Sequence, residues 1–157
     1  MISDAAPIIF LSKIGKLGLL KKLFKEIIIP MAVQTEVLVE GKPGYAVIKE
    51  ALAQQWITVR RPQKILELSL GPGESEAISL AREIKKPLLL DDAYAIKAAK
   101  MYEIETMRTT TVLFLAVHQK IISPTDLILL INELVKAGYY IRPREYAFLL
   151  SKIQESL

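Results

Sequence analysis

GPGESEAISLAREIKKPLLLDDAYAIKAAK, residues 71–100, runs helix, strand, acidic pair and helix in one unbroken order. Gly73 opens a segment in which Ala77, Ile78, Ala81 and Ile84 recur at helical spacing, and Pro87 forbids further helix before Leu88-Leu89-Leu90. A continuous apolar strand is buried on both faces, as in a parallel sheet covered by helices. Asp91 and Asp92 stand at its carboxyl end, where open parallel sheets assemble their chemistry.

Outward from that unit the same alternation continues. Ile2-Ser3-Asp4 reads as the end of a first strand, with Ala5-Ala6-Pro7 turning into a short helix over Ile8 to Leu11. Leu17, Leu20, Leu23 and Phe24 among lysines give an amphipathic helix, and Ile27-Ile28-Ile29 is a β-branched strand cut off by Pro30. Pro30 suits the first turn of a helix carrying Val33, Glu36 and Val37, which the turn residues Gly41 to Gly44 end before a helix from about Tyr45 to Gln55. Trp56 to Val59 is a further strand, and a last short one is expected within Tyr102 to Met107. Helices then follow over Thr110 to Gln119, from Pro124 with Leu127, Leu130, Ile131 and Leu134, and at the end with Tyr146, Leu149, Leu150 and Ile153. Strands alternating with helices define an α/β domain with a parallel sheet covered on both faces, and residues 1–157 show neither linker nor repeat, so one domain is expected.

Composition narrows the chemistry. With 52% apolar and 24% charged residues the chain is no disordered segment. No apolar run approaches the ~20 residues of a membrane span, and Met1-Ile2-Ser3-Asp4 lacks a basic leader, so a cytoplasmic, membrane-free protein is expected. The absence of cysteine excludes disulfides, Cys-bound zinc and thiol nucleophiles, and the single His118 excludes multi-histidine metal sites. Carboxylates remain for metal binding. A net charge of +4 permits contact with a polyanion without requiring it.

Aspartate is scarce: there are only Asp4, Asp91, Asp92 and Asp126, and three of these fall at strand ends. Taken singly, Asp4, Asp91, Asp92 and Glu74 have the ordinary explanation of capping helix N-termini. Taken together, parallel topology brings Asp4 and the acidic pair to one sheet edge, with Glu74 added from the adjacent helix. Glu36, six residues past Pro30, lies roughly 9 Å along its helix and joins only if that helix crosses the edge. Crowded carboxylates raise one another's pKa unless a cation neutralises them, and oxygen-only ligands suit Mg²⁺ or Mn²⁺.

These residues carry a resemblance. Ile2-Ser3-Asp4, Ile29-Pro30-Met31-Ala32-Val33-Gln34-Thr35-Glu36, Gly73-Glu74-Ser75-Glu76-Ala77-Ile78-Ser79-Leu80-Ala81 and Leu90-Asp91-Asp92 resemble, in order, segments of the PIN-domain nucleases, in particular the prokaryotic branch related to VapC-type toxins. The resemblance implies a three-layer α/β/α fold, an acidic pocket holding Mg²⁺ or Mn²⁺, and hydrolysis of RNA phosphodiesters, as by the toxin of a toxin–antitoxin pair. It assigns Asp4, Glu36, Glu74 and one of Asp91 or Asp92 as metal-binding and catalytic acids. Three departures stand beside it: Ala5-Ala6 replaces the usual Thr-Ser, Ile96 an arginine, and Arg108-Thr109-Thr110-Thr111 a G-T-x-G segment. They motivate a second expectation, a catalytically weak or inactive relative that binds RNA or a protein partner. A phospho-accepting receiver domain also clusters aspartates, but its acidic pair follows an early strand and not one past the midpoint.

Lys97, Lys100 and Arg108 are candidate contacts to an RNA backbone, against the alternative of a solvated helix face. Trp56, Tyr94 and Tyr102 are read as core aromatics ahead of base-stacking ones, and His118 as a structural residue. Tyr139-Tyr140-Ile141 and the apolar last helix offer surface that a homodimer or an antitoxin would cover, or that packs on the sheet.

Overall fold

Apolar runs too short for helices fall at regular intervals between amphipathic ones, and in the computed structural model, which describes residues 1–156, they pair into one sheet. In chain order the elements are β1 (Ile2–Ser3), α1 (Ala5–Lys13), α2 (Gly18–Phe24), β2 (Ile27–Pro30), α3 (Met31–Val37), α4 (Tyr45–Ala53), β3 (Ile57–Arg60) and α5 (Pro72–Ile84). They continue as β4 (Leu88–Leu89), α6 (Ala93–Met101), β5 (Thr106–Met107), α7 (Thr109–His118), α8 (Pro124–Lys136) and α9 (Pro143–Ser156).

The five strands are all parallel, in the order β3-β2-β1-β4-β5. The chain lays β2 and β3 to one side of β1, then returns to add β4 and β5 on the other, so a topological switch falls between β1 and β4. Ile2 pairs with Ile28 on one flank and Leu88 on the other. Hydrogen bonds run past the short strands: Asp4 N donates to Leu89 O at 3.0 Å and Leu90 N to Met107 O at 2.9 Å. Asp4 and Asp91 thus end neighbouring strands, at the crevice such a switch opens.

Alternation of side chains divides the core into two. Ile27, Ile29, Ile57 and Leu89 face the larger cluster, with Ile8, Leu20, Leu113 and Leu127. Ile2, Leu88 and Leu90 face the smaller one, where Ala77, Ile78, Ala95 and Ala99 let α5 and α6 lie close to the sheet. The result is a three-layer α/β/α arrangement. Among the described residues no helix is long and apolar enough to cross a membrane.

Several boundaries move for identifiable reasons. Pro30 does not start a helix; it ends β2, where no further ladder N–H is needed, and its extended backbone (ψ 164°) takes the N-cap position of α3. Helix α1 begins at Ala5, before Pro7, because a proline in the first turn removes only an N–H that would lack a partner anyway. Helix α5 starts at Pro72, one residue before Gly73, with a proline in its first turn. Helices α4 and α7 end at Ala53 and His118, short of Gln55 and Gln119, and α7 starts at Thr109. The last strand shrinks to Thr106–Met107 because Tyr102 to Ile104 close α6 through a turn with Glu103 at φ 57°.

Candidate functional site

Asp4 sits where β1 hands over to α1. It occupies the N-cap position, yet its carboxylate makes no capping hydrogen bond. It is only 6% exposed, and its pKa is pushed up from 3.8 to about 7. Burial is the main cause; the Ala5 N–H partly offsets it, and the charges of Glu74, Glu36 and Asp91 add to it in that order. An uncapped, buried carboxylate facing other carboxylates does not fit the ordinary capping explanation.

Glu36 does reach this acid, although it lies well along α3. The helix packs on α5, and Glu76 of α5 accepts from Ala32 N at 3.0 Å, tying the first turn of α3 in place. Gly73 supplies the close approach. A Cβ at that position would overlap Glu36 Oε1 and stand 3.4 Å from Asp4 Oδ1, so both carboxylates lean over the same bare glycine. Glu74 follows in the first turn of α5, where it accepts from Gly71 N at 3.2 Å, one half of a capping box that Gly71, lacking a side chain, cannot return. Its pKa is raised, first by burial and also by Asp92 and Glu36, against the Gly71 hydrogen bond. Asp4, Glu36 and Glu74 line one cavity of about 410 Å³ with Ala5, Ala6 and Gly73.

Asp91 and Asp92 do not share that cavity. They line a neighbouring one of about 400 Å³ that meets the first at Phe10. Asp91 is held there by three donors: Thr109 N at 2.9 Å, Thr109 Oγ1 at 2.6 Å and the Tyr139 hydroxyl at 2.5 Å. Asp92 caps α6, accepting from Ala95 N at 2.8 Å. Of the expected metal acids, Asp4, Glu36 and Glu74 thus line one cavity and Asp91 and Asp92 the adjoining one, where hydrogen bonds hold the pair toward α6, α7 and the Tyr139 segment. Charge still acts across the divide, Asp91 on Asp4 and Asp92 on Glu74.

The donor set fits a hard divalent cation in kind, being all carboxylate oxygen around a bare glycine. Among the described residues, however, no group of three or more such side chains is close enough to hold an ion as they stand.

The candidate cations separate. Arg108 lines the second cavity and pairs with Glu145 at 3.8 Å, whereas Lys97 and Lys100 are exposed on α6 and line neither cavity. Among the aromatics, Trp56 packs against the larger core and Tyr102 against the smaller, under the Arg82 guanidinium. Tyr94 reverses the expectation of a core role, being 78% exposed beside the acidic pair. His118 ends α7 and is exposed. Tyr139 is buried and packs edge-on to Phe10, with centroids 5.2 Å apart. Sequence reasoning missed Glu76, Thr109, Tyr139 and Phe10. Glu76 lies within the glycine-led helix start and Thr109 at the threonine of the expected G-T-x-G segment, whereas Phe10 and the contact of Tyr139 with Asp91 left no signal.

Fold and site together define a three-layer α/β domain whose carboxylates crowd the crevice at a topological switch. The chain belongs to the PIN-domain family: the DUF3368 family of PIN domains matches residues 1–155. PIN domains are generally nucleases that depend on divalent metal ions. No curated protein matches the chain. A solved PilT N-terminus domain protein from the hyperthermophilic archaeon Sulfolobus solfataricus P2 is similar in fold, with a TM-score of 0.56 and 21% identity, over 74% of this chain and 94% of that one.

Proposed function

We propose that the protein is a Mg²⁺- or Mn²⁺-dependent endoribonuclease in which Asp4, Glu36 and Glu74 hold the ion, with Asp91 and Asp92 completing the acidic site. The observation that carries this reading is the meeting of Asp4, Glu36 and Glu74, from three separate elements, in one cavity over Gly73. When bound, such an ion supplies the Lewis acidity that makes water nucleophilic near neutral pH and stabilises the departing oxygen. The chain's own part is to crowd negative oxygen where a cation is needed, and to fix Asp91 through Thr109 and Tyr139 at the neighbouring strand end. Thr109 supplies a supporting hydroxyl to Asp91, where Ala5 and Ala6 offer none beside Asp4.

The test is cleavage of a single-stranded RNA with Mg²⁺ or Mn²⁺, with and without chelator. Wild type is expected to cleave only with metal, and Asp4→Asn to lose at least 100-fold of the rate, the order found for removing an electrostatic catalytic group. Intact RNA under both metals with folded protein rejects the reading.

A second reading, a catalytically silent relative that binds RNA or protein, is favoured by the open arrangement of the carboxylates and by the hydrogen bonds that already occupy Asp91. RNA binding that survives chelation, without turnover, selects it. A toxin role would add a protein partner, for which α8 and α9 expose Leu129, Val135 and Phe148. Self-association through the same residues is the homodimer form of that proposal, and sedimentation distinguishes them.

A further inference from the structure

The cavity that holds Asp91 and Asp92 has features that metal binding does not require. Two of its walls are tyrosines with almost nothing over them: Tyr94 is 78% and Tyr140 is 77% exposed. Tyr94 stands in the first turn of α6, two residues past Asp92. Tyr140 arrives on the segment that leaves α8 through Gly138 at φ 96°. That segment is anchored one residue earlier, where the Tyr139 ring lies against Phe10 and its hydroxyl donates to Asp91. Tyr140 therefore projects from a fixed base. In the same cavity Arg142 and Arg108 both pair with Glu145, two cations sharing one carboxylate, which leaves that cluster with net positive charge.

An exposed tyrosine leaves a large ring in contact with water, and two of them lining a cavity of about 400 Å³ form a stacking surface. The same cavity is lined by the acid pair, both tyrosines and both arginines. Tyrosines and arginines on one cavity suit a nucleotide unit, which offers a π-face for stacking and a phosphate for the guanidinium groups.

We propose that Tyr94 and Tyr140 form a base-stacking subsite for single-stranded nucleic acid, with Arg108 and Arg142 on the flanking phosphate. It places an unpaired nucleotide beside the acidic crevice. The choice of ligand rests on the nuclease reading, and the subsite deepens it by requiring a base that can leave its neighbours. Duplex nucleic acid, whose bases are already stacked, is refused by this arrangement. Stacking is tolerant of base identity, so the subsite selects for single strands and not for sequence.

Binding is measured in chelator, so that it is read apart from cleavage, with a fluorescent oligouridylate, an oligomer of the same length and charge lacking bases, and a matched duplex. Wild type is expected to bind the oligouridylate well above the other two. Tyr94→Ala and Tyr140→Ala should each weaken oligouridylate binding roughly 5- to 100-fold while leaving the abasic oligomer unchanged, and Tyr94→Phe should retain it. Arg142→Ala should weaken both single strands alike. Both tyrosines are exposed, and circular dichroism of each variant confirms that it remains folded. Equal losses for abasic and base-bearing strands, no loss in either alanine variant, or no oligonucleotide binding by wild type each overturn the subsite; the last leaves the cavity to a protein partner. Cleavage with unaffected alanine variants sinks the subsite alone. Tyrosine-dependent binding without cleavage under any metal sinks the nuclease reading and leaves the subsite standing.

Discussion

Gly73 does the most with the least. Its missing side chain is the space into which Glu36 and Asp4 lean, so that a single hydrogen atom separates a crowded acidic site from a dispersed one. Gly73→Ala tests this directly. The added methyl meets the far end of an exposed, flexible glutamate, so stability should change by less than about 0.5 kcal/mol. Glu36 should nevertheless be pushed off Asp4, and the rise in Tm that Mn²⁺ gives wild type should fall by half or more. Thermal melts with and without Mn²⁺ read both effects. An unchanged metal response with Glu36→Ala also silent would remove Glu36 from the site.

At the scale of elements, the position of α3 is what makes Glu36 available. The helix is seven residues long, and its first turn presents free N–H groups beside α5. The Glu76 carboxylate reaches across to Ala32 N and meets the favourable end of the helix dipole as well. Glu76→Ala should cost about 1 kcal/mol in urea denaturation, and Glu76→Gln, which keeps an acceptor, less than half of that. If both substitutions cost the same, charge against the dipole and not the hydrogen bond holds the helix. Helices α5 and α6 serve the site differently: each begins at the sheet's carboxyl edge with an acidic residue that completes its own cap, Glu74 through Gly71 and Asp92 through Ala95. Those two acids thus have a structural duty that Asp4 lacks.

For the whole molecule, burying Asp4 among like charges is a cost to folding. The unfolded chain releases that proton near pH 3.8, whereas the folded chain keeps it until about pH 7. Between those values the folded state binds the extra proton, so stability falls as pH rises through the window and the full penalty is present above about 7. Its upper limit is roughly 4 kcal/mol. In chelator, wild type should therefore melt progressively lower from pH 4 to 8, Asp4→Asn should show a flatter profile and a higher Tm at pH 8, and Mn²⁺ should stabilise wild type there but not the variant. Parallel slopes for the two proteins would show that Asp4 is not the buried acid responsible.

The sequence by itself determined the class of fold and the order of its elements, because apolar runs of strand length, helical spacing and proline are local signals that no tertiary contact overrode. It also placed Asp4 and Leu90-Asp91-Asp92 at strand ends, since parallel strands must present their carboxyl ends together. Only tertiary structure decided that β1 lies between β2 and β4, that α3 crosses close enough for Glu36 to reach Gly73, and that the acids divide into two adjoining groups. Thr109 and Tyr139 are the reason for that division: they come from 18 and 48 residues beyond Asp91, and a hydrogen bond across such a distance leaves no periodic trace in the chain. Tyr94 and Tyr140 show the same limit from the other side, for whether a tyrosine is covered or bare depends on what packs over it, and that is settled only once the layers have closed.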